Sequence, residues 1–406
     1  MVLEGMMMTT TLPAMDEARS LLRPQDWTFP VPIAYGPGRL AEISGICRST
    51  DMARPLIVTD RGSRDLPFIA RLEGLLKKGG LAPVVFGGIS PNPRDNEIVA
   101  GCDAYRAGGH DGIIAIGGGS GMDGAKAICL TAQTGLDLWD FEFEQTPPTL
   151  NETQQIPPMI TIPTTAGTGA ETEGTAMVTH MAKGMKFCVW HPDFHPVQVL
   201  LDPELTVGLP KTLTAWTGAD ALTHAIEAYI VPDFHPLCDG AALEGLRLVA
   251  KWLPIAVDEP ENMAARGGML VGSCLAGIAF LKGLGMVHAI SHMIGAEYDT
   301  QHGLTNAVLL PAVLRENLSV LGDKVGPMAQ AMGLDDPSPQ ALAGAVETLL
   351  DRIGIPNGLA DLGVPADCAG RIAAKAMQDS AAATDPGAWS AGRAEALINR
   401  AMTAAR

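Results

Sequence analysis

The chain has 406 residues, 47% of them hydrophobic and 18% charged, which gives enough apolar mass for two cores and excludes a disordered polyelectrolyte. A net charge of −17, with no run of Lys or Arg, excludes broad binding to nucleic acid or anionic lipid. The seven cysteines are odd in number and contain no CxxC pair, so neither a disulfide framework nor a zinc ribbon is indicated, and the expected setting is reducing and cytoplasmic.

Residues 1–28 have no basic leader and no apolar core of signal-peptide length; they read as a flexible leader. Short apolar runs then alternate with helical patterns. PLIVTD (Pro55 to Asp60), PVVFGGI (Pro83 to Ile89), GIIAIGGGS (Gly112 to Ser120), MITIPTT (Met159 to Thr165) and VQVLLD (Val197 to Asp202) read as strands buried on both faces of a parallel sheet. Helical segments lie between them, among them Asn96 to Ala107 and Met122 to Ala132. This alternation predicts a wound α/β domain over 29–208. After LPKTLTAW the strand signals stop, and Ala- and Leu-rich helical patterns, broken by Pro254, Pro311 and Pro356, predict an all-helical domain over 209–406. Gly267 to Ile290 is apolar, but its glycines, Lys282 and His288 favour a buried helix or helix pair over a membrane span.

Two glycine-rich turns point to a nucleotide. In GIIAIGGGSGMDGAKA a strand runs into Gly117, Gly118, Gly119 and Ser120 and a helix opens near Met122, so backbone N–H groups at a helix N-terminus can face a pyrophosphate; a tight structural turn is the plainer alternative. In IPTTAGTGAETE a second strand end offers the hydroxyls of Thr164, Thr165 and Thr168 beside Gly167 and Gly169. Asp60 closes PLIVTD, where a carboxylate can bind ribose hydroxyls and repel a 2′-phosphate, favouring NAD over NADP; the alternative is a turn-forming Asp before Arg61 and Gly62.

The densest chemistry lies further on. His288 and His292 are four apart on one helix face, His302 precedes Gly303 at the next apolar run, and Asp220 and His224 repeat the four-residue spacing. Taken singly, each histidine is equally a packed core residue. Together, one carboxylate and up to three imidazoles suit Fe²⁺ or Zn²⁺ better than Ca²⁺ or Mg²⁺. His110, His180, His191, His195 and His235 fit no such spacing and read as surface or loop residues.

These motifs together resemble the iron-containing (group III) alcohol dehydrogenases, whose fold is dehydroquinate synthase-like. The resemblance runs from about Phe29 onward through FPVPIAYGPGRL, PNPRDNEI, GGGSGMDGAKA, PTTAGTGAETE, LDPELT, TGADALTHAIEAY and VHAISHMIGAEYDTQHGLTNAVLLP. It implies an NAD-binding α/β domain and a helical metal-binding domain with the active site between them. It also implies iron, or else zinc, on Asp220, His224, His288 and His302, with His292 as the active-site histidine beside the metal. The implied cofactor contacts are Asp60, Asn92, Gly119, Ser120, Asp123, Thr164, Thr165, Lys186 and Leu205, to which the turn readings add Gly118 and Thr168. The implied reaction interconverts a small primary alcohol or diol and its aldehyde, in a homodimer or larger homo-oligomer that binds neither nucleic acid nor membrane. A zinc glycerol or polyol dehydrogenase, a dehydroquinate synthase-like lyase and a non-catalytic metal- or nucleotide-binding protein are the alternatives. Three positions depart from the family pattern: Gly121 stands where proline is common, Glu173 where a small hydroxyl residue is common near the nicotinamide end, and Asp385 where TNP would place asparagine.

Overall fold

In the computed structural model of the chain the described residues are 31–403, together with the backbone of 25–28. The leader expected over 1–28 lies largely outside them. Its last four residues, however, form β1 (Gln25–Thr28), antiparallel to β2 (Pro32–Tyr35), so the α/β unit starts earlier than the expected residue 29.

The sheet is completed by β3 (Pro55–Asp60), β4 (Val84–Ile89), β5 (Gly112–Gly117), β6 (Met159–Pro163) and β9 (Gln198–Leu201), in the order β1-β2-β9-β6-β5-β3-β4, with every pair except β1–β2 parallel. Each expected strand is present, β3 with the expected bounds and the other four trimmed by a residue or more. Nearly every residue of β3, β5 and β6 is buried, as two-sided coverage by helices requires. The covering helices are α1 (Ile43–Ser49), α2 (Pro67–Lys78), α3 (Asp95–Gly108) and α4 (Gly119–Ala132). The chain leaves β3 for β4 on one side and returns to β5 on the other, so a crevice opens at the C-terminal ends of β3 and β5. Wound sheets bind ligands at this kind of switch point.

Besides β1 and β2, a whole hairpin escaped the sequence reading. β7 (Thr175–His180) and β8 (Met185–Trp190) form an antiparallel hairpin apart from the main sheet, closed by a turn in which Gly184 adopts φ 59°.

The remainder is helical: α5 (Lys211–Ile230), α6 (Pro236–Asp258), α7 (Met263–Ala279), α8 (Met286–Tyr298), α9 (His302–Asn317), α10 (Val325–Ala331), α11 (Pro339–Arg352), α12 (Ala369–Ala376), α13 (Ser380–Thr384) and α14 (Ala391–Ala401). Pro254 and Pro311 do not break this pattern as expected; they sit inside α6 and α9. Each removes one i→i−4 bond, a loss outweighed by the buried faces on either side of it, with Leu253, Ala256 and Val257 in one helix and Leu309, Leu310 and Val313 in the other all at most 1% exposed. The apolar run from Gly267 to Ile290 is a helix pair, α7 and the start of α8. Met263–Lys282 is long and apolar enough to cross a membrane, yet 78% of it is buried within the fold, which makes it a core element.

Candidate active site

Three helices bring the metal-binding candidates together. α5 presents Asp220 and His224 at i and i+4, α8 presents His288 and His292 in the same spacing, and α9 opens on His302. Gly303 lets α9 approach α5: a Cβ there would lie 2.5 Å from the Trp216 carbonyl oxygen and 2.9 Å from Asp220 Cβ. One ligand atom each from Asp220, His224, His288 and His302 lies within 4.8 Å of every other. Asp220 Oδ1 is 3.9, 4.0 and 3.7 Å from Nε2 of His224, His288 and His302. A regular tetrahedron with edges of about this length has its centre about 2.4 Å from each corner, a little beyond the ~2.0–2.2 Å bonds that zinc-like ions make to N and O. The residues therefore fit a divalent transition ion in both chemistry and spacing.

The surroundings fix the protonation that such an ion needs. Glu227, one turn beyond His224 on α5, meets His288 Nδ1 at 2.5 Å, so Nδ1–H donates to the carboxylate and Nε2 keeps its lone pair facing the site. Asn306 Nδ2 donates to Asp220 Oδ1 at 2.7 Å and lies 3.0 and 3.1 Å from Nε2 of His288 and His302, which share its second hydrogen, so it touches three of the four ligand atoms. Burial, then the neighbouring His224, keeps His288 well below the ordinary imidazole range; burial, then Lys186 and the other imidazoles, does the same for His302. Both are neutral donors. Burial and then Asp385 raise the Glu227 carboxyl, while the backbone N–H groups of Val287, Gly285 and His288 pull it back toward the carboxylate.

His292 is set apart from the four. Its Nδ1 bonds Asp379 Oδ2 at 2.8 Å, and although burial raises the Asp379 carboxyl, His292 holds it below its usual value. Sequence reasoning missed Glu227, Asn306 and Asp379. The first two were legible as i+3 from His224 and i+4 from His302; Asp379 lies 87 residues from its partner and had no local signal.

The same cleft, of about 1190 Å³, is lined by all of these ligands and by every expected cofactor contact: Asp60, Asn92, Gly118, Gly119, Ser120, Asp123, Thr164, Thr165, Thr168, Lys186 and Leu205. α4 begins at Gly119, three residues before the expected Met122; its N-cap Gly118 has no side-chain cap, and this uncapped helix start, through Gly118, Gly119 and Ser120, lines the cleft. A Cβ at Gly119 would lie 2.4 Å from Thr168 Cγ2, so the two turns interlock only with glycine there. Asp60 serves partly as a turn residue, accepting from Ser63 N at 3.0 Å through Oδ1. Asn92 donates to Asp299 Oδ1 at 2.7 Å, across from the sheet unit to the end of α8. Lys186, on the hairpin, is almost fully buried and its pKa is lowered, first by burial, against the pull of Asp123 and Asp299. Burial raises Asp123 to about 7.

The three family departures have local causes. A Cβ at Gly121 would lie 3.2 Å from Asp60 N, so α4 sits tightly on the end of β3. Glu173 bonds the wholly buried Lys126 at 3.4 Å and accepts from the Thr175 hydroxyl. Asp385 accepts from Met286 N, Asn317 Nδ2, Gly387 N and Trp389 Nε1, four donors that a carboxylate meets more fully than an amide. Of the histidines set aside, His110 and His191 are loop residues but buried rather than on the surface, their rings bonded to the carbonyls of Arg54 and Pro148 at 2.8 and 2.9 Å.

Comparison with known proteins matches residues 30–203 to the iron-containing alcohol dehydrogenase model and 214–402 to the C-terminal model of the Fe-containing alcohol dehydrogenase family. The chain is 35% identical over 371 residues to 1,3-propanediol dehydrogenase of Klebsiella pneumoniae, covering 89% of this chain and 94% of that one. It is 33% identical over 367 residues to the NAD-dependent methanol dehydrogenase of Bacillus methanolicus, covering 88% and 94%. Its structure superposes on sulfoacetaldehyde reductase from Bifidobacterium kashiwanohense in complex with NAD+ with a TM-score of 0.83 at 29% identity, over 95% and 99% of the two chains.

Proposed function

The chain belongs to the iron-containing alcohol dehydrogenase family, and we propose that it interconverts a small primary alcohol or diol and its aldehyde with NAD(H) as hydride carrier. It is an oxidoreductase whose cofactors are NAD and a divalent metal, iron by family. The observation that carries this reading is a single cleft shared by a compact Asp/His₃ set and two glycine-rich turns.

When bound, the metal supplies Lewis acidity that lowers the pKa of the alcohol, and NAD supplies the hydride acceptor. We assign the metal to Asp220, His224, His288 and His302, within a helical unit over 209–406, and the dinucleotide to the cleft-lining residues of the preceding unit. Free N–H groups at the start of α4 suit the pyrophosphate, and Asp60 suits the adenosine ribose. His292, oriented by Asp379, is placed to take the alcohol proton and pass it outward. Lys186 lines the same cleft from the hairpin.

A cytoplasmic location is supported by the scattered cysteines. Assembly into a homodimer or larger homo-oligomer is supported by β1, which has one edge without a strand partner among the described residues. Sedimentation tests the latter. The activity is tested with methanol, ethanol, butanol and 1,3-propanediol plus NAD⁺, and their aldehydes plus NADH, on protein of measured metal content. Failure to turn over any of them at full metal occupancy refutes the assignment.

A further inference from the structure

Building on that reading of the site, we infer that it selects alcohols and aldehydes with an apolar tail over diols and over carriers of a carboxylate. Two segments form one wall of the metal set. The first runs from Phe280 to Leu284 into α8, with the Phe280 ring 5.0 Å from the ligand His224. The second is α13, tied to the first where Thr384 Oγ1 donates to the Leu284 carbonyl at 2.8 Å, and to the site through Asp379 and His292. Phe280, Leu281, Leu284 and Ala381 line the cleft here.

All but one of the polar side chains of this wall are already engaged. Lys282 is buried and donates to Asp239 and to the Tyr229 carbonyl. Thr384 is held by the Leu284 and Ala381 carbonyls, Thr217 donates to the Leu213 carbonyl, and across the cleft Thr175 donates to Glu173. Ser380 is the one hydroxyl in the wall that makes no such bond among the described residues, and it also borders a small second cavity with Lys186, Cys188 and Met293, where Lys186 is the one cationic group and is itself buried. A second hydroxyl or a carboxylate on the substrate would leave water here with too few partners, whereas methylenes would lie against carbon. The apolar character continues outward. Leu281 is 49% exposed at the cleft edge, and the Lys282–Asp239 bond brings the first turn of α6 beside it, where Leu237 and the preceding Phe234 are 62% and 92% exposed.

The test uses the metal-replete enzyme with NADH and compares kcat/KM for propanal, butanal, hexanal and octanal with 3-hydroxypropanal, the isostere of butanal, and with succinic semialdehyde. Shedding water from each methylene predicts a rise of about four-fold per carbon from propanal to hexanal. An unpartnered buried hydroxyl predicts 3-hydroxypropanal about ten-fold or more below butanal, with succinic semialdehyde lower still. Leu281→Asp should lower the hexanal-to-propanal ratio about ten-fold with metal content and NADH affinity retained. A flat or falling series, an unmoved ratio in Leu281→Asp, or 3-hydroxypropanal equal to butanal overturns the inference; in the last case its loss in Ser380→Ala would name the group responsible. Absence of turnover with every aldehyde would instead refute the underlying dehydrogenase reading.

Discussion

At the metal pocket four ligand atoms come from side chains on three helices, and two further side chains, Glu227 and Asn306, hold them. At the nucleotide cleft much of the expected cofactor surface is backbone and small residues at strand ends, with Asp60, Asp123 and Lys186 as the ionisable exceptions among the expected contacts. The first arrangement concentrates function in atoms that have no substitute. The second spreads it over many N–H groups, none of them decisive, and depends on close approach more than on side-chain chemistry. The pocket should therefore fail abruptly under substitution and the cleft by degrees.

Removing a ligand is the severest way to challenge that contrast. His302→Ala, and equally His288→Ala, should lose stoichiometric metal and about a thousand-fold or more in kcat/KM, checked by atomic emission beside steady-state rates. His292→Ala lies next in size: full metal content with kcat lower by about a hundred-fold, because the group handles a proton and is not assigned to the ion. Metal loss as complete as in His288→Ala would make His292 a ligand and move the border of the pocket. Glu227→Gln keeps the shape but removes the acceptor that fixes His288, and chelator competition should show metal affinity reduced by about 10–100-fold.

On the cleft side the expected effects are smaller. Asp60→Gly should narrow the preference for NAD(H) over NADP(H) by about ten-fold without affecting metal content. A wild type that prefers NADP(H) would reduce Asp60 to its turn with Ser63. The smallest effect concerns Glu171, fully buried behind the second turn, whose carboxyl is raised by burial to about 7 from 4.5. A carboxyl raised on folding contributes stability that is complete below its unfolded pKa and lost as pH climbs through its folded one. Between pH 4.5 and 7 the wild type should thus lose stability that Glu171→Gln does not. The variant's Tm should exceed that of wild type by a few degrees at pH 8, on the order of what one or two kcal/mol gives, and match it near pH 4.5. Parallel Tm curves for the two proteins would show that this carboxyl is not held protonated.

The same contrast explains what could be read in the sequence. Strands β3, β5 and β6 were legible because burial on both faces leaves unbroken apolar runs, and the metal set because helices convert i, i+4 spacing into shared faces. The hairpin β7–β8 was missed because its partly exposed strands mix Thr, Lys, Met and Trp, and its turn MAKG lacks the Asn-Gly signature. The prolines misled because local helix propensity was weighed without the packing around Pro254 and Pro311. Asp379 and Lys126 were out of reach altogether, since each acts on a residue 87 or 47 positions away.

The start of α8 has a bearing on how the protein is assembled. Its N-cap, Gly285, offers no side chain, and the orphan N–H groups of Met286 and Val287 are taken by Asp385 and Glu227, 99 and 60 residues away in the chain. The helix that carries His288 and His292 consequently has no local start signal of its own and is fixed only when α5 and the segment after α13 have docked. Loop closures of that span place it among the later steps of folding. Since Glu227 caps the helix with one oxygen and orients His288 with the other, the ion meets a finished coordination set or none. Loading should follow chain collapse, and refolding should proceed at the same rate whether or not Fe²⁺ or Zn²⁺ is in the buffer.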